Sequence, residues 1–180
     1  VKKLKHGIIM SGIPAALIFD AGRTNKKILI YNKGYEVVFE ESVQLPEISD
    51  EDGFPCEDVH ALTEWLENSF RRILQNNDVD IRVVNFSGYG ASFVYTGEDQ
   101  KPLLPLYNYL KPYPEKLRDQ FYDAYGGELE FARKTCSPVL GSLNSGMQLY
   151  RVKKERPADF ARIRFALHLP QYLASVISGI

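Results

Sequence analysis

Three short apolar runs near the start of the chain, separated by turns that contain glycine, constrain the fold more than any other feature of the sequence. Each run has the length of a strand, and together they cover residues 15–19, 27–31 and 35–40. The turns between them, residues 20–22 and 32–34, are short and end in glycine. Strands joined by such short turns predict an antiparallel three-strand meander in one sheet.

Helices are predicted to pack on this sheet. Apolar side chains share one helical face at Val59, Leu62, Leu66 and Ile73. We expect this helix to hold Glu57 and Asp58 in its first turn and to end near Asn76. Residues 81–86 and 92–95 predict further strands, and prolines predict helix starts at residues 114, 157 and 170, with another helix over residues 143–154. The order of elements predicts a mixed α/β fold with helices on a twisted, mixed sheet.

Charge and cysteine content exclude several classes of protein. The 22 basic and 23 acidic residues nearly cancel, without a long run of either sign, so neither a nucleic-acid binder nor a basic membrane-surface binder is expected. We find no run near the ~20 apolar residues that a membrane span needs. Cys56 and Cys136 lie too far apart for a metal motif, and they predict reduced thiols in a cytoplasmic protein.

The first turn carries a motif of its own. Residues 17–25, Leu-Ile-Phe-Asp-Ala-Gly-Arg-Thr-Asn, resemble the first phosphate loop of the actin, hexokinase and heat-shock chaperone superfamily, whose form is Asp-x-Gly-Thr-Thr or a close variant. An ordinary hairpin turn has the same Asp-x-Gly pattern, so this motif needs support from the rest of the chain.

Two later segments supply that support. Residues 84–95, with Gly97 and residues 101–105, resemble the strand-turn-strand that carries sugar contacts in the FGGY carbohydrate kinases. Residues 143–149, Pro157 and residues 169–179 follow the same family's closing run. The chain therefore resembles the N-terminal domain of an FGGY kinase. The pair Thr24-Asn25 and the Phe-Val after Gly90 bring it nearest to kinases of deoxy-ketoses such as rhamnulose and fuculose.

This resemblance implies a fold and a division of the chain. The fold would be the actin-like ATPase, or ribonuclease H-like, α/β domain. Residues 1–14 would form an N-terminal extension and residues 15–180 the domain that carries the phosphate loop and the sugar site. A C-terminal nucleotide-binding domain, which holds the general-base aspartate in the family, would lie outside this chain.

The resemblance also implies a nucleotide site on the first turn, with contacts from Asp20, Gly22, Arg23, Thr24 and Asn25. Successive backbone N–H groups in such a turn can hold phosphate oxygens of ATP, and glycine permits a close approach. Asp20 would hold Mg²⁺ through its waters. Thr24 can donate a hydroxyl hydrogen bond. Arg23 replaces a small residue of the family and either binds a phosphate or faces solvent.

The implied sugar contacts are Tyr89, Ser92, Tyr109, Lys111 and Asn144, and they depart from the family's pattern. Ser92 replaces an aspartate, and Lys111 replaces the carboxylate of a Trp-x-Asp-x-Arg segment. Each residue also has a structural interpretation. Tyr89 could pack in the core, Lys111 is favoured as a solvated loop residue, and Asn144 is favoured as a helix N-cap.

The implied activity is ATP-dependent phosphorylation of a ketose or deoxy-ketose. Its partners would be the sugar and the protein's own C-terminal domain, with a homodimer left open. The departures at Lys111 and at Tyr113, which stands where the family has arginine, leave an alternative: a catalytically inactive, actin-like binding protein of the same fold.

Overall fold

The computed structural model describes residues 12–179, so the first eleven residues of the predicted extension lie outside it. Within this part the strands are β1 (Ile13–Ala21), β2 (Lys26–Asn32), β3 (Val37–Val43), β4 (Glu47–Ser49), β5 (Pro55–Glu57), β6 (Val79–Gly88), β7 (Phe93–Thr96) and β8 (Phe165–His168). The helices are α1 (Val59–Leu74), α2 (Glu115–Ala124), α3 (Glu128–Thr135), α4 (Ser145–Glu155), α5 (Pro157–Phe160) and α6 (Leu169–Ser178).

The main sheet has the order β3-β2-β1-β6. The pairs β1–β2 and β2–β3 are antiparallel, as the meander predicts, and β6 runs parallel to β1 on its other side. The third strand starts at Val37 and not at residue 35, because Tyr35 takes a left-handed turn conformation with φ of 62°. The mixed α/β architecture is therefore the predicted one.

Helix α1 occupies the predicted region, but one expectation about its start is wrong. Asp58 is the N-cap, and its Oδ1 accepts hydrogen bonds from the N–H groups of His60 and Ala61 at 2.9 and 3.1 Å. Glu57 does not belong to the first turn. It ends β5, which pairs antiparallel with β4, and its side chain points to the main sheet.

The chain after Gly88 forms smaller units around the main sheet. Strand β7 pairs antiparallel with β8, a strand that the sequence patterns do not predict. Helix α2 begins after Pro114 as predicted, whereas the helix expected at Pro157 lasts only four residues. Helix α6 has Pro170 in its first turn. No helix within residues 12–179 has both the length and the apolar character of a membrane span.

The core lies between the main sheet and two helices. Inward side chains of β1 and β2 pack against α1 and α6; the fully buried members include Leu17, Phe19, Ile28, Leu62, Leu66 and Leu173. The ring of Phe19 stacks on Phe86 at 5.8 Å and meets Trp65 edge-on at 5.7 Å. A second cluster around Tyr95 and Tyr107 supports β7 and α4. These cores fix the carboxyl ends of the parallel strands β1 and β6 side by side.

Candidate functional site

The loop between β1 and β2 presents polar groups at the end of the main sheet. Asp20 precedes the last residue of β1 and lies beside Ser87 of β6 and Lys27 of β2. Its half-buried carboxylate accepts no hydrogen bond from any described residue. Thr24 is exposed at the tip, and Asn25 Oδ1 accepts a hydrogen bond from Gln44 at 3.1 Å.

Lys26 stabilises this loop through hydrogen bonds from its buried side chain to the loop backbone. Its side chain is only 2% exposed, and Nζ donates to the carbonyl oxygens of Gly22 and Arg23 at 2.7 and 3.2 Å. In a trans peptide the carbonyl and the following N–H point in opposite directions, so the N–H groups of Arg23 and Thr24 point away from Lys26. They donate to no acceptor within residues 12–179. The loop therefore offers two free, adjacent N–H donors.

Gly22 leaves little room for a side chain. A Cβ at this position would lie 3.0 Å from the carbonyl oxygen of Asn25, closer than about nine in ten real Cβ contacts. A side chain here would therefore require a small shift of the loop backbone, which carries the two N–H groups. This close approach, and not a special φ angle, explains the glycine.

Tyr89 follows β6 and lies opposite the loop. Its hydroxyl donates to Glu57 Oε2 at 2.5 Å, and its ring lies 5.5 Å from the ring of Tyr109. Burial raises the pKa of Tyr89 far above its ordinary value, and the neighbouring Glu57 carboxylate raises it further. The phenol is therefore a permanent hydrogen-bond donor with an aromatic face towards Tyr109.

Arg23 and Lys26 of the β1–β2 loop border one small cleft of ≈ 20 Å³ together with the two tyrosines, whereas Asp20, Gly22, Thr24 and Asn25 are not part of its lining. Its lining consists of Arg23, Lys26, Leu45, Pro46, Glu47, Glu57, Tyr89, Leu106, Asn108 and Tyr109. Arg23 reaches across its mouth, with its guanidinium 3.7 Å from Glu47. The structure thus brings together three of the predicted residues, Arg23 from the nucleotide set and Tyr89 and Tyr109 from the sugar set.

Ser92 lies beneath this cleft and not in its wall. Its side chain is fully buried, and its hydroxyl donates to the carbonyl oxygen of Tyr107 at 2.6 Å. This bond connects the turn after β6 to the segment that carries Tyr109. In this conformation Ser92 supports the cleft and offers no exposed group to a sugar.

Lys111 is buried, so the expectation of a solvated loop residue is wrong. Its Nζ lies 2.5 Å from Asp50 Oδ2 and 2.6 Å from Asp52 Oδ2, and the Asp50 side chain is fully buried. The hydrogen bond from Lys111 lowers the pKa of Asp52. Lys111 lines a separate cavity together with Gln148, Arg151 and Arg156. The acidic loop at residues 50–52 neutralises the lysine that replaces the family's aspartate.

Asn144 stands at the N-cap position of α4, but its side chain does not cap the helix. Oδ1 accepts from Leu140 N at 2.7 Å, and Nδ2 donates to Ser137 Oγ and Pro138 O. The side-chain amide of Asn144 therefore forms its hydrogen bonds with the preceding loop, and not with the N–H groups of the first turn of α4 as an N-cap would. Asn144 lines an aromatic-walled cavity beside Phe121 and Phe131, away from Tyr89.

Two residues at the site, Lys26 and Glu57, are absent from the predicted set. Alternation along β2 could have found Lys26, because it continues the buried face of Ile28 and Ile30. A lysine on a buried strand face requires a partner. Nothing local identifies that partner as Glu57, since the pair joins residues that are distant in sequence.

Asp20 fits the role of a magnesium contact. Mg²⁺ keeps several waters in proteins and takes one or two carboxylates, so a single carboxylate such as that of Asp20, without a hydrogen-bond partner among the described residues, would be sufficient. Within residues 12–179 no group of three or more His, Cys, Asp or Glu side chains converges to form a complete metal site. Any ion at Asp20 would therefore complete its shell with water and phosphate.

Similar folds occur in solved kinases. The chain is similar to a xylulose kinase from Lactobacillus acidophilus, with a TM-score of 0.76, 19% identity, and coverage of 91% of this chain and 33% of that chain. A gluconate kinase from the same organism gives a TM-score of 0.75 at 18% identity, with coverage of 91% of this chain and 33% of that chain. A carbohydrate kinase from Novosphingobium aromaticivorans gives a TM-score of 0.72 at 20% identity, with coverage of 89% of this chain and 33% of that chain. The chain thus spans about a third of these proteins, and the actin-like ATPase class of its fold is confirmed.

Sequence comparison identifies the family directly. No curated protein matches the chain closely enough to count as a relative. In contrast, the profile of the FGGY family of carbohydrate kinases, N-terminal domain, matches residues 15–179, which is nearly the whole of the described structure. The chain therefore belongs to the FGGY family of carbohydrate kinases, of which it represents the N-terminal domain.

Proposed function

We propose that the chain is the N-terminal part of an ATP-dependent kinase that phosphorylates a hydroxyl group of a ketose or deoxy-ketose. The observation that carries this proposal is the pair of free N–H groups at Arg23 and Thr24, next to the unpaired carboxylate of Asp20. A loop that can bind an anion, directly after a carboxylate that can bind a cation, is what phosphoryl transfer from Mg-ATP requires.

Each side of the cleft has its own task in this proposal. The N–H groups and Thr24 bind phosphate oxygens, Asn25 lies beside them at the loop's end, and Asp20 binds the hydrated Mg²⁺. ATP, when bound, supplies the phosphoryl group. Arg23 lines the same cleft as Tyr89, with its guanidinium 3.7 Å from Glu47, so its charge lies at the proposed site.

The sugar would lie against Tyr89 and Tyr109. Two tyrosines that meet at 5.5 Å form an apolar wall suited to the C–H face of a sugar. The attacking hydroxyl needs a base within hydrogen-bond reach. That base, and most of the nucleotide surface, would come from a C-terminal domain, consistent with the chain's span of a third of the solved kinases.

The sugar class rests on two kinds of support. Structures similar to this chain include xylulose kinases from Lactobacillus acidophilus and Rhodospirillum rubrum, which are named for a ketose. The deoxy-ketose subclass rests on the resemblance at Thr24-Asn25 and after Gly90. A cytoplasmic location completes the proposal, and a homodimer stays an open expectation.

An inactive binding protein is the alternative, and the placement of Lys111 bears on it. The departure from the family's carboxylate at this position lies outside the cleft, because Lys111 pairs with Asp50 and Asp52. The lysine therefore adds no positive charge to the wall formed by Tyr89 and Tyr109, although the family's carboxylate is lost at this position. Both the active kinase and the inactive binding protein are consistent with this placement, and sugar-dependent release of ADP decides between them.

The test is ADP release by the full-length protein with Mg-ATP and a panel of ketoses, deoxy-ketoses and sugar acids. We expect sugar-dependent turnover, and Asp20→Asn should lower kcat by about 100-fold, as loss of one transition-state contact does. Asp123→Asn, which changes an exposed carboxylate of α2, is the matched control and should leave the rate unchanged. Wild-type rates in Asp20→Asn, or turnover with no sugar of the panel, would contradict the proposal.

A further inference from the structure

We propose that Lys26 and Glu57 are positioning residues that connect the phosphate loop to the sugar-side tyrosines, so that the two sides of the cleft are held in one geometry. The inference deepens the proposed function and rests on it for the identity of the two sides. The observation behind it is that a single buried carboxylate, Glu57, contacts both Lys26 at 2.5 Å and the hydroxyl of Tyr89 at 2.5 Å.

Lys26 cannot serve as a phosphate ligand in this arrangement. Its Nζ donates hydrogen bonds to Gly22 O and Arg23 O and forms an ion pair with Glu57 Oε1 at 2.5 Å. The ammonium is therefore directed at groups inside the protein, and its side chain is only 2% exposed. What Lys26 determines is the direction of two peptide groups, and hence the direction of the free N–H groups of Arg23 and Thr24.

Glu57 faces residues on both sides of the cleft. Its Oε1 lies 2.5 Å from Lys26 Nζ as an ion pair without hydrogen-bond geometry, and Oε2 accepts from Tyr89, while the side chain is only 10% exposed. The carboxylate is therefore directed mainly at Lys26 and Tyr89. Its contribution is to fix the distance between the ammonium below the phosphate loop and the phenol beside the sugar.

The backbone of β5 extends the same connection to Tyr109. Glu57 forms an isolated β-bridge with Leu106, and Asn108 Nδ2 donates to Pro55 O at 3.0 Å. The segment that carries Tyr109 is therefore attached to the strand that carries Glu57. Strand β5 thus contacts both Lys26 and Tyr89 through the single side chain of Glu57, and it contacts the Tyr109 segment through its backbone.

Kinetics of the full-length protein test the connection through effects across the cleft. Tyr89→Phe removes only the hydroxyl on the sugar side, yet we expect it to raise KM for ATP about tenfold, as the loss of a hydrogen bond to a charged group would. The double variant Lys26→Met/Glu57→Gln should raise KM for the sugar by a similar factor. Removing both charges together avoids leaving one of them buried and unpaired.

Lys33→Met and Tyr35→Phe are matched controls, because both residues are exposed in the turn before β3. They should change neither KM. The connection is refuted if Tyr89→Phe leaves KM for ATP unchanged and Lys26→Met/Glu57→Gln leaves KM for the sugar unchanged. It is also refuted if these KM values change no more than in the control variants. A purely structural role would lower the melting temperature without this crossed pattern of KM values.

Hydrogen–deuterium exchange separates failure of this inference from failure of the proposed function, because it needs no activity. We expect exchange in residues 20–26 to rise at least about threefold in Tyr89→Phe, and exchange in residues 86–93 to rise as much in Lys26→Met/Glu57→Gln. If the double variant does not fold, Tyr89→Phe alone decides. Unchanged exchange in residues 20–26 of that variant overturns the inference even if the wild type is an active kinase.

Discussion

Two buried lysines show how single residues stabilise this domain. Lys26 and Lys111 are 2% and 8% exposed, and each ammonium meets a carboxylate at 2.5 Å. A buried charge is tolerated only with such partners, because desolvation otherwise costs several kcal/mol. Lys26 acts at the candidate site, whereas Lys111 ties the segment after Tyr109 to the acidic loop at residues 50–52.

Removing the charge of Lys111 should therefore destabilise the fold. Lys111→Met leaves the fully buried carboxylate of Asp50 without its cation, and we expect a loss of about 3–5 kcal/mol in the free energy of unfolding. Urea unfolding of residues 1–180 measures it. Lys116→Met on the exposed side of α2 is the control. Lys111→Met/Asp50→Asn should recover part of the loss, and equal stability of Lys111→Met and wild type would contradict the argument.

The two cysteines should differ in reactivity. Burial, together with the carboxylates of Asp50 and Glu51, raises the pKa of Cys56 to about 11, whereas Cys136 is exposed after α3. The thiolate is the nucleophile, so at pH 8 iodoacetamide should label Cys136 and spare Cys56 until the protein unfolds. Between pH 9 and 11 the unfolded thiol loses its proton first, so this group lowers stability as pH rises. Mass-spectrometric mapping of labelled Cys56 in the folded protein would refute the prediction.

The sequence reveals residue types at the site better than it reveals their contacts. The loop motif locates Asp20, Gly22 and Thr24, and strand alternation could have added Lys26. The partners of the buried lysines are not predictable in this way. Lys111 and Asp50 are 61 positions apart, and only the folded chain brings them together. For this reason a solvated Lys111 is a reasonable expectation from sequence and a wrong one.

At the scale of elements, prediction succeeds where a local pattern is strong. The meander and α1 follow from period-two and period-3.6 apolar patterns, and the Pro114 helix from its proline. Strands β4, β5 and β8 have only three or four residues and acquire their conformation from pairing across the fold. Such short strands carry too little pattern to be recognised, so the sequence misplaces Glu57 in a helix.

The N-cap of α1 offers a test at this scale. Asp58→Ala removes the acceptor for the N–H groups of His60 and Ala61 and should lower the free energy of unfolding by about 1 kcal/mol. Asp58→Ser keeps a capping oxygen and should lose much less. Urea unfolding of both variants checks the order. If serine and alanine at this position are equally destabilising, the cap does not contribute.

At the scale of the whole molecule, the main core is closed within the described residues, whereas the cleft opens at the surface. The buried clusters lie within residues 15–173 and enclose the sheet with α1 and α6. Arg23, Lys26, Tyr89 and Tyr109 instead line a cleft that is open to solvent. Residues 1–180 should therefore be sufficient for folding, whereas phosphoryl transfer should need a longer chain.

We accordingly predict that residues 1–180 alone fold but do not phosphorylate a sugar. Folding should show as a cooperative urea transition, because the core is closed on its own. Transfer needs the nucleotide in line with the hydroxyl and a base at hydrogen-bond reach, and the described residues of the cleft provide neither a base nor an adenosine site. A coupled ADP-release assay on this segment, with the full-length protein as the positive control, measures the difference. Sugar-dependent turnover by the segment, abolished by Asp20→Asn, would contradict the prediction and assign both missing functions to residues within these 180.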